Sequence, residues 1–362
     1  MLKSAKIWDQ MEKLYGVDGK GMEPVEVITS GSIALDDILG VWGLPKGRII
    51  QYAGKESSGK TLMSLMAIKE WQMLDPDNWA VFIDAEYTYN KAWAEKLGVD
   101  NDRVFLIKEN DGVKIFTALC GVPHKELGKE KAKPGILDME AEEPSGLGII
   151  VLDSVAAMQA PVESTKTVGN TNMAPMGRFL PDALKRLTPL LSKTGVAFIA
   201  INQVRVDLGK MFGDPTSTPG GKAWKHYCSV MLHFTSSESK ESWFLDDNGT
   251  KYGHIVGARV DKNKVACPNS KCNFDVKYES GISNRHKEVF DIGVKYGVIQ
   301  RPNNVSYLYE DYKWKGKEAC IKAILENNLQ DEILVKSKES KASGVKPVEI
   351  ESVVELNDTD VE

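Results

Sequence analysis

The chain lacks any apolar run approaching the ~18 residues a membrane span needs, and its first stretch, MLKSAKIWDQMEKLYG, has no signal-type apolar core. A cytoplasmic protein without a membrane partner is expected. Cysteine is scarce: Cys120, Cys228, Cys267, Cys272 and Cys320 are scattered and odd in number, which argues against a secreted disulfide scaffold. Cys267 and Cys272 stand close in ACPNSKC, but a zinc site needs two more ligands and His286 supplies at most one. No metal–cysteine site is expected. Positive charge is also short: the net charge is −5, the reverse of a passive nucleic-acid coat. A local basic stripe remains open, because the charge is uneven. The tail ESVVELNDTDVE is acidic, whereas the loop-rich centre carries several Lys and Arg.

What is present fits a soluble α/β protein. A length of 362 residues allows one large domain and a smaller one. Over 3–15, Ile7, Trp8, Met11, Leu14 and Tyr15 recur at helical spacing. This predicts a short amphipathic helix, followed by an extended PVEVIT. That helix packs either on its own domain or on a neighbouring subunit. From residue 48, RIIQYA, WAVFIDA, GIIVLDS and VAFIAIN read as buried parallel strands. TLMSLMAIKEWQML and RFLPDALKRLTPLLSK read as helices between them. The alternation predicts a mostly parallel sheet covered by helices on both faces. The expected division is an N-terminal segment 1–30, a core 31–280 with a surface insertion at 122–146, a small C-terminal α/β domain 281–334, and a disordered acidic tail 335–362.

GKESSGKT at 54–61 fits G-x-x-x-x-G-K-[ST] at every fixed position. It follows a predicted strand and opens a predicted helix, the context the motif needs. Gly54 and Gly59 permit the backbone angles that turn amides inward, so Gly54, Lys55, Glu56, Ser57, Ser58, Gly59, Lys60 and Thr61 are expected to cradle the phosphates of ATP. The helix N-terminus adds its partial positive charge. Lys60 is expected to reach the β- and γ-phosphates, and the Thr61 hydroxyl to bind Mg²⁺. Asp153, ending the strand GIIVLDS, fits the second Mg²⁺-site carboxylate, acting through bound water. Glu86, after WAVFIDA, has two open readings. It either orients the attacking water or is a cap or surface acid.

At this point the sequence resembles the bacterial RecA recombinases and their phage relatives. The segments that carry the likeness are TSGSIALDDILG-VWGLPKGRII, GKESSGKT, FIDAE, VLDSVAA, INQVR, MFGDP, TPGGKAWKHY and KNKVACP. They occur in family order over roughly residues 1–330. The resemblance implies a P-loop NTPase core of the RecA type, an N-terminal oligomerisation segment, and an ATP-dependent strand-exchange recombinase. Such a protein forms helical filaments on single-stranded DNA, pairs it with double-stranded DNA, and hydrolyses ATP to ADP and phosphate. It implies that Glu86 activates water and that Gln203 senses the γ-phosphate. It further implies that Lys262 and Lys264 reach a neighbour's γ-phosphate. Asn90 and Trp93 fall where the family has an Asp and a Tyr beside the adenine. Mediator or single-strand-binding proteins are possible further partners, in a bacterial or phage-infected cell.

Two stretches correspond to the family's DNA-facing loops. The first, VESTKTVGNTNMAPMGR, contains Met173 and Arg178. The second, with the residue before it, contains Arg205, Leu208, Lys210, Met211, Phe212, Gly220 and Gly221. Their Gly, Thr, Ser and Asn content suits backbone amides offered to phosphates. Their apolar residues either wedge between unstacked bases or fold back onto the core. His226 stands where the family usually has Phe, and no catalysis is assigned to it. The insertion at 122–146 departs from typical members. Two other functions stay open: a RecA-fold ATPase of another type, such as a ring helicase or a clock-type kinase, and an ATP-dependent scaffold without turnover.

Overall fold

The strands follow the β-branched and apolar runs of the sequence. A computed structural model describes residues 13–14, 24–122, 133–160, 175–206, 216–217, 219–236, 239–282 and 284–348. Its strands are β1 (Val27–Ile28), β2 (Leu44–Pro45), β3 (Ile49–Gly54), β4 (Trp79–Asp84), β5 (Val104–Ile107), β6 (Leu147–Asp153), β7 (Ala197–Gln203) and β8 (Arg205–Val206). They continue as β9 (Thr216–Ser217), β10 (Val230–Ser236), β11 (Trp243–Leu245), β12 (Lys251–Asn263), β13 (Lys271–Lys277), β14 (Gly281–Ile282), β15 (Ser306–Tyr309) and β16 (Tyr312–Lys315). The helices are α1 (Ile33–Ile38), α2 (Lys60–Leu74), α3 (Lys91–Lys96), α4 (Gly112–Cys120) and α5 (Ile136–Glu142). After them come α6 (Pro175–Thr194), α7 (Gly221–Tyr227), α8 (Arg285–Lys295), α9 (Lys317–Glu326) and α10 (Gln330–Ala342).

One sheet of ten strands dominates, in the order β14-β13-β12-β10-β3-β7-β6-β4-β5, with β11 beside β12. From β10 to β5 every pairing is parallel; from β10 outward to β14 every pairing is antiparallel. Side chains alternate across a strand, and the core divides accordingly. Ile50, Tyr52, Phe82, Val151 and Ile199 pack on the α2 side. Ile49, Val81, Ile83, Ile150, Leu152 and Phe198 pack against α4, α5 and α6. With both faces buried, the central strands are near-continuous apolar runs. The fold is the expected α/β class, a mostly parallel sheet with helices on both faces.

Two expectations need correction. The stretch 122–146 is not all surface: Leu137 and Glu140 of α5 are buried, and Leu137 joins the core cluster beside α6. Its alternating acids and apolar residues fit an amphipathic helix as well as a loop. The polar run from 335 is helical as far as Ala342. Ile333 and Ser337, one turn apart, are its buried face, so a short apolar stripe is enough to seat it. The N-terminal helix expected over 3–15 lies outside the described residues except at Lys13–Leu14, which are helical.

The C-terminal lobe has its own core of Val289, Phe290, Ile299, Tyr307, Tyr309, Ile324 and Ile333, and Ile33 of α1 inserts into it. Buried carboxylates fasten the joint. Glu288 accepts from the Ser32 hydroxyl at 2.8 Å and the Ile33 amide at 2.7 Å. Asp37 accepts from Lys295 at 2.5 Å, Tyr296 at 2.7 Å and Lys341 at 2.7 Å. Burial alone raises the Asp37 carboxyl, but Lys295 and Lys341 outweigh it and hold the group below its ordinary value. Asp37→Ala is therefore expected to lower stability by about 3 kcal/mol in urea unfolding, as breaking a buried pair does. A carboxyl with a depressed folded pKa stabilises above the ordinary carboxylate range, and this is lost as pH falls through the folded value. The gap between wild type and variant should thus close in acid. An unchanged urea midpoint at neutral pH contradicts this role.

Candidate functional site

The parallel strands end together at one edge of the sheet, and the acids and hydroxyls of interest project there. Strand β3 ends at Gly54, which is paired with Gln203 of β7 on one side and Phe234 of β10 on the other. Gly54 has φ of 159°, and a β-carbon there would lie 2.3 Å from the Phe234 carbonyl oxygen. Only glycine fits. The loop then turns back, with Ser57 and Gly59 at positive φ, and α2 starts at Lys60. The first amides of α2 have no carbonyl within the helix to bond and face the loop.

Lys60 is buried, and its ammonium donates to the Gly54 carbonyl at 3.1 Å, the Lys55 carbonyl at 2.5 Å and the Ser58 hydroxyl at 3.2 Å. Burial lowers its pKa against the opposing pull of Asp153 and Glu86. Thr61 donates its hydroxyl to Asp153 Oδ2 at 2.8 Å. The next residue, Ser154, donates to the Glu86 carboxylate. Thr61, Asp153, Ser154 and Glu86 are thus one connected row from α2, β6 and the end of β4. Burial pushes the Asp153 carboxyl up to about 6, against the Thr61 bond that favours its charge, and Glu86 and Asp84 add to the rise. A buried carboxylate beside a hydroxyl is an oxygen donor set suited to a hard divalent cation that keeps most of its waters.

Glu86 is held on a shaped turn. Asp84, fully buried at the end of β4, accepts from the amides of Thr88 at 2.9 Å and Tyr89 at 3.0 Å. Beyond it, Asn90 caps α3 by accepting from the Trp93 amide at 3.0 Å. Trp93 is half-buried, and its indole N–H donates to the Tyr278 carbonyl at 2.6 Å. Sequence reasoning missed Ser154, Asp84 and Tyr278. Ser154 and Asp84 had a visible signal, being adjacent to Asp153 and inside FIDAE. Tyr278 had none, because only the tertiary fold brings β13's end to α3.

Lys262 and Lys264 are not part of this cluster. Asn263 between them pairs with Val230, which lies beside Ile50. They are four strand positions from the Gly54 end, about 13 Å at ~3.3 Å per residue. Lys264 donates to the His226 carbonyl at 3.0 Å, and Lys262 bonds the Lys225 carbonyl, so both cap the C-terminus of α7. His226 itself is exposed and offers its backbone. The other end of α7 reaches the phosphate-loop edge, where Asn202 donates to the Pro219 carbonyl at 2.9 Å, next to Gln203.

Of the expected DNA-facing residues, Arg178 is exposed on α6, Arg205 lies in β8, and Gly220 and Gly221 open α7 at positive φ. Met173, Leu208, Lys210, Met211 and Phe212 lie outside the described residues. No helix among the described residues is long and apolar enough to cross a membrane.

Comparison with known proteins gives the family. A family model described as the RecA N-terminal domain matches residues 8–120 and 130–283. The chain is 37% identical over 347 residues to Protein RecA of Cytophaga hutchinsonii, covering 93% of this chain and 90% of the relative. It is 37% identical over 343 residues to Protein RecA of Rhodococcus jostii, with 92% and 91% covered. Protein RecA of Streptomyces venezuelae is 35% identical over 346 residues, with 93% and 84% covered.

Proposed function

This chain belongs to the RecA family, and on that premise we propose that ATP is held on the loop 54–61 and hydrolysed by Glu86 with help from a neighbouring subunit. Family membership over nearly the whole length makes the chain an ATP-dependent DNA strand-exchange recombinase and a DNA-dependent ATPase. The single observation that supports the residue roles is the connected row Thr61–Asp153–Ser154–Glu86 beside the loop.

In this reading Gly54 to Thr61 wrap the phosphates with backbone amides, and Lys60 exchanges its bonds to the Gly54 and Lys55 carbonyls for phosphate oxygens. Thr61 and, through water, Asp153 hold Mg²⁺, which when bound neutralises charge on the phosphates. Ser154 fixes the Glu86 carboxylate, which orients the attacking water and takes its proton. Gln203, next to Gly54 in the sheet, meets the γ-phosphate. Trp93 and Asn90 face the adenine. Asn90 keeps its amide N–H₂ and a second lone pair on its oxygen for this, since the cap of α3 uses one.

Lys262 and Lys264 serve another subunit's nucleotide. Their distance from Gly54 along the strands supports a role across an interface, and residues 1–30 are the segment that joins subunits into a filament. Helix α7 then touches both signals: Gln203's strand at its start and the two lysines at its end. Arg178, Arg205, Gly220 and Gly221, with Met173, Leu208, Lys210, Met211 and Phe212, grip the DNA backbone without reading sequence.

Two experiments test this. Glu86→Gln keeps the side chain's size and removes its basicity. ATP binding should persist, with turnover down by about 10²–10⁴, the usual contribution of a general base. Turnover near the normal rate makes Glu86 a structural acid. Lys262→Ala with Lys264→Ala should lower DNA-stimulated hydrolysis by about 10³ or more, as losing a cation supplied in trans does, while each monomer still binds nucleotide. Mixed with Glu86→Gln protein in co-filaments, the double variant should regain part of its activity. It keeps its own loop and Glu86, and the partner donates lysines. Co-filaments that regain nothing rule out the cross-interface role.

A further inference from the structure

The turn that presents Glu86 carries a strained residue that the roles above leave unexplained. Tyr87, the residue after Glu86, has φ of 60°. A bulky side chain in the left-handed region is a genuine outlier, and it persists only where the surroundings over-determine it. The ring is not what holds it there, because Tyr87 is 56% exposed. The constraint comes through the backbone.

Two anchors close the turn. The first is Asp84, fully buried, which accepts from the Thr88 amide with one carboxylate oxygen and from the Tyr89 amide with the other. The Ala85 amide still donates to the Asp153 carbonyl at 2.8 Å, so the start of the turn is tied to β6. The second anchor is Tyr89. Its ring lies 4.7 Å from that of Phe82, and its hydroxyl donates to Asn101 Oδ1 at 2.8 Å. Glu86 and Tyr87 stand between these anchors. The amides of Thr88 and Tyr89 reach back to a carboxylate four and five residues earlier, so the chain must reverse, and the left-handed residue provides the reversal. With φ of ordinary sign the peptide joining Glu86 to Tyr87 would turn over. Then either the two amides would leave Asp84 or the Glu86 carboxylate would leave the Ser154 hydroxyl that it accepts from.

We infer that Tyr87 is a positioning residue for hydrolysis: its left-handed backbone, not its ring, holds the Glu86 carboxylate beside Ser154. This rests on the reading that Glu86 orients the attacking water. The segment FIDAEYTYN gives no sign of it, since glycine or asparagine is the usual residue at such a φ.

Steady-state hydrolysis by the full chain on single-stranded DNA, with ATP affinity from calorimetry, tests the inference. Proline fixes φ near −65°, so Tyr87→Pro should lower kcat about 10²-fold, the scale of a 1 Å misplacement, and leave ATP affinity unchanged. Tyr87→Gly and Tyr87→Asn accept positive φ and should keep kcat within about two-fold of wild type. Tyr87→Val keeps the N–H that proline lacks but resists the left-handed region, and its kcat should fall between. Normal kcat in Tyr87→Pro overturns the inference. So does a loss in Tyr87→Gly equal to that in Tyr87→Pro, which would make the ring the active part. If Tyr87→Pro does not fold, equal kcat in Tyr87→Val and Tyr87→Gly overturns it. A purely structural role would move the urea midpoint and leave the kcat of the folded variants in place. Normal turnover in Glu86→Gln refutes the role of Glu86 itself, a failure distinct from the others.

Discussion

The site depends on how tightly β3 is held between its neighbours. Phe234 of β10 and Gln203 of β7 flank Gly54 directly, and the Phe234 carbonyl leaves no space for a β-carbon. The loop that follows must therefore leave the sheet at one point and in one direction. That exit aims the start of α2 back over the strand ends, putting Thr61 within 2.8 Å of Asp153. The acids are placed by the same register: Asp84 pairs with Asp153 across β4 and β6, so the strand that carries Asp153 also sets where the Glu86 turn begins. A shift of one residue in either pairing would turn these groups to the other face.

The same register separates the two lysines from the loop. Val230 sits beside Ile50 and opposite Asn263, while Phe234 sits beside Gly54. A single chain therefore holds its phosphate loop and its paired lysines at opposite ends of the same strands. Helix α7 spans the gap, about 10 Å at ~1.5 Å per residue. Its Gly220–Gly221 entry is at positive φ, and its last carbonyls are held by lysine ammonium groups rather than by a Schellman turn. Cations suit a helix C-terminus, and they suit a phosphate better. One end of α7 thus rests beside Gln203 at the loop edge and the other on the two lysines, so a shift of the helix would be felt at both.

Much of this was legible in the sequence. GKESSGKT carries its own structural demand, and WAVFIDA, GIIVLDS and VAFIAIN read as buried parallel strands. The order of the strands was not legible, nor was the antiparallel extension β12–β14, because pairing partners far apart in sequence leave no local pattern. The joint between core and C-terminal lobe was equally hidden. Asp37 and Glu288 look like ordinary surface acids until Lys295, Lys341 and Ser32 are brought to them. Helix α10 was missed because its exposed face is so polar that two buried positions, Ile333 and Ser337, were too few to see.

These buried acids also bear on how an acidic chain binds DNA. Asp36, Asp37, Asp84, Asp153 and Glu288 are all buried, and burial raises Asp36 to about 6 and Glu288 to about 7. Their carboxyls lie inside the protein rather than on the surface that DNA meets. A further six acids, with no Lys or Arg among them, fall in the last fourteen residues of the sequence. The remainder of the chain carries a slight positive excess, and its exposed cations include Arg178, Lys222 and Lys225 near the expected DNA-facing stretches. The net charge of −5 therefore misstates the surface DNA meets. With few cations per subunit, affinity has to come from repetition along a filament, where each added subunit binds at the high effective concentration set by its neighbours. Weak, sequence-blind contacts of this kind also leave the bases free to test pairing between strands.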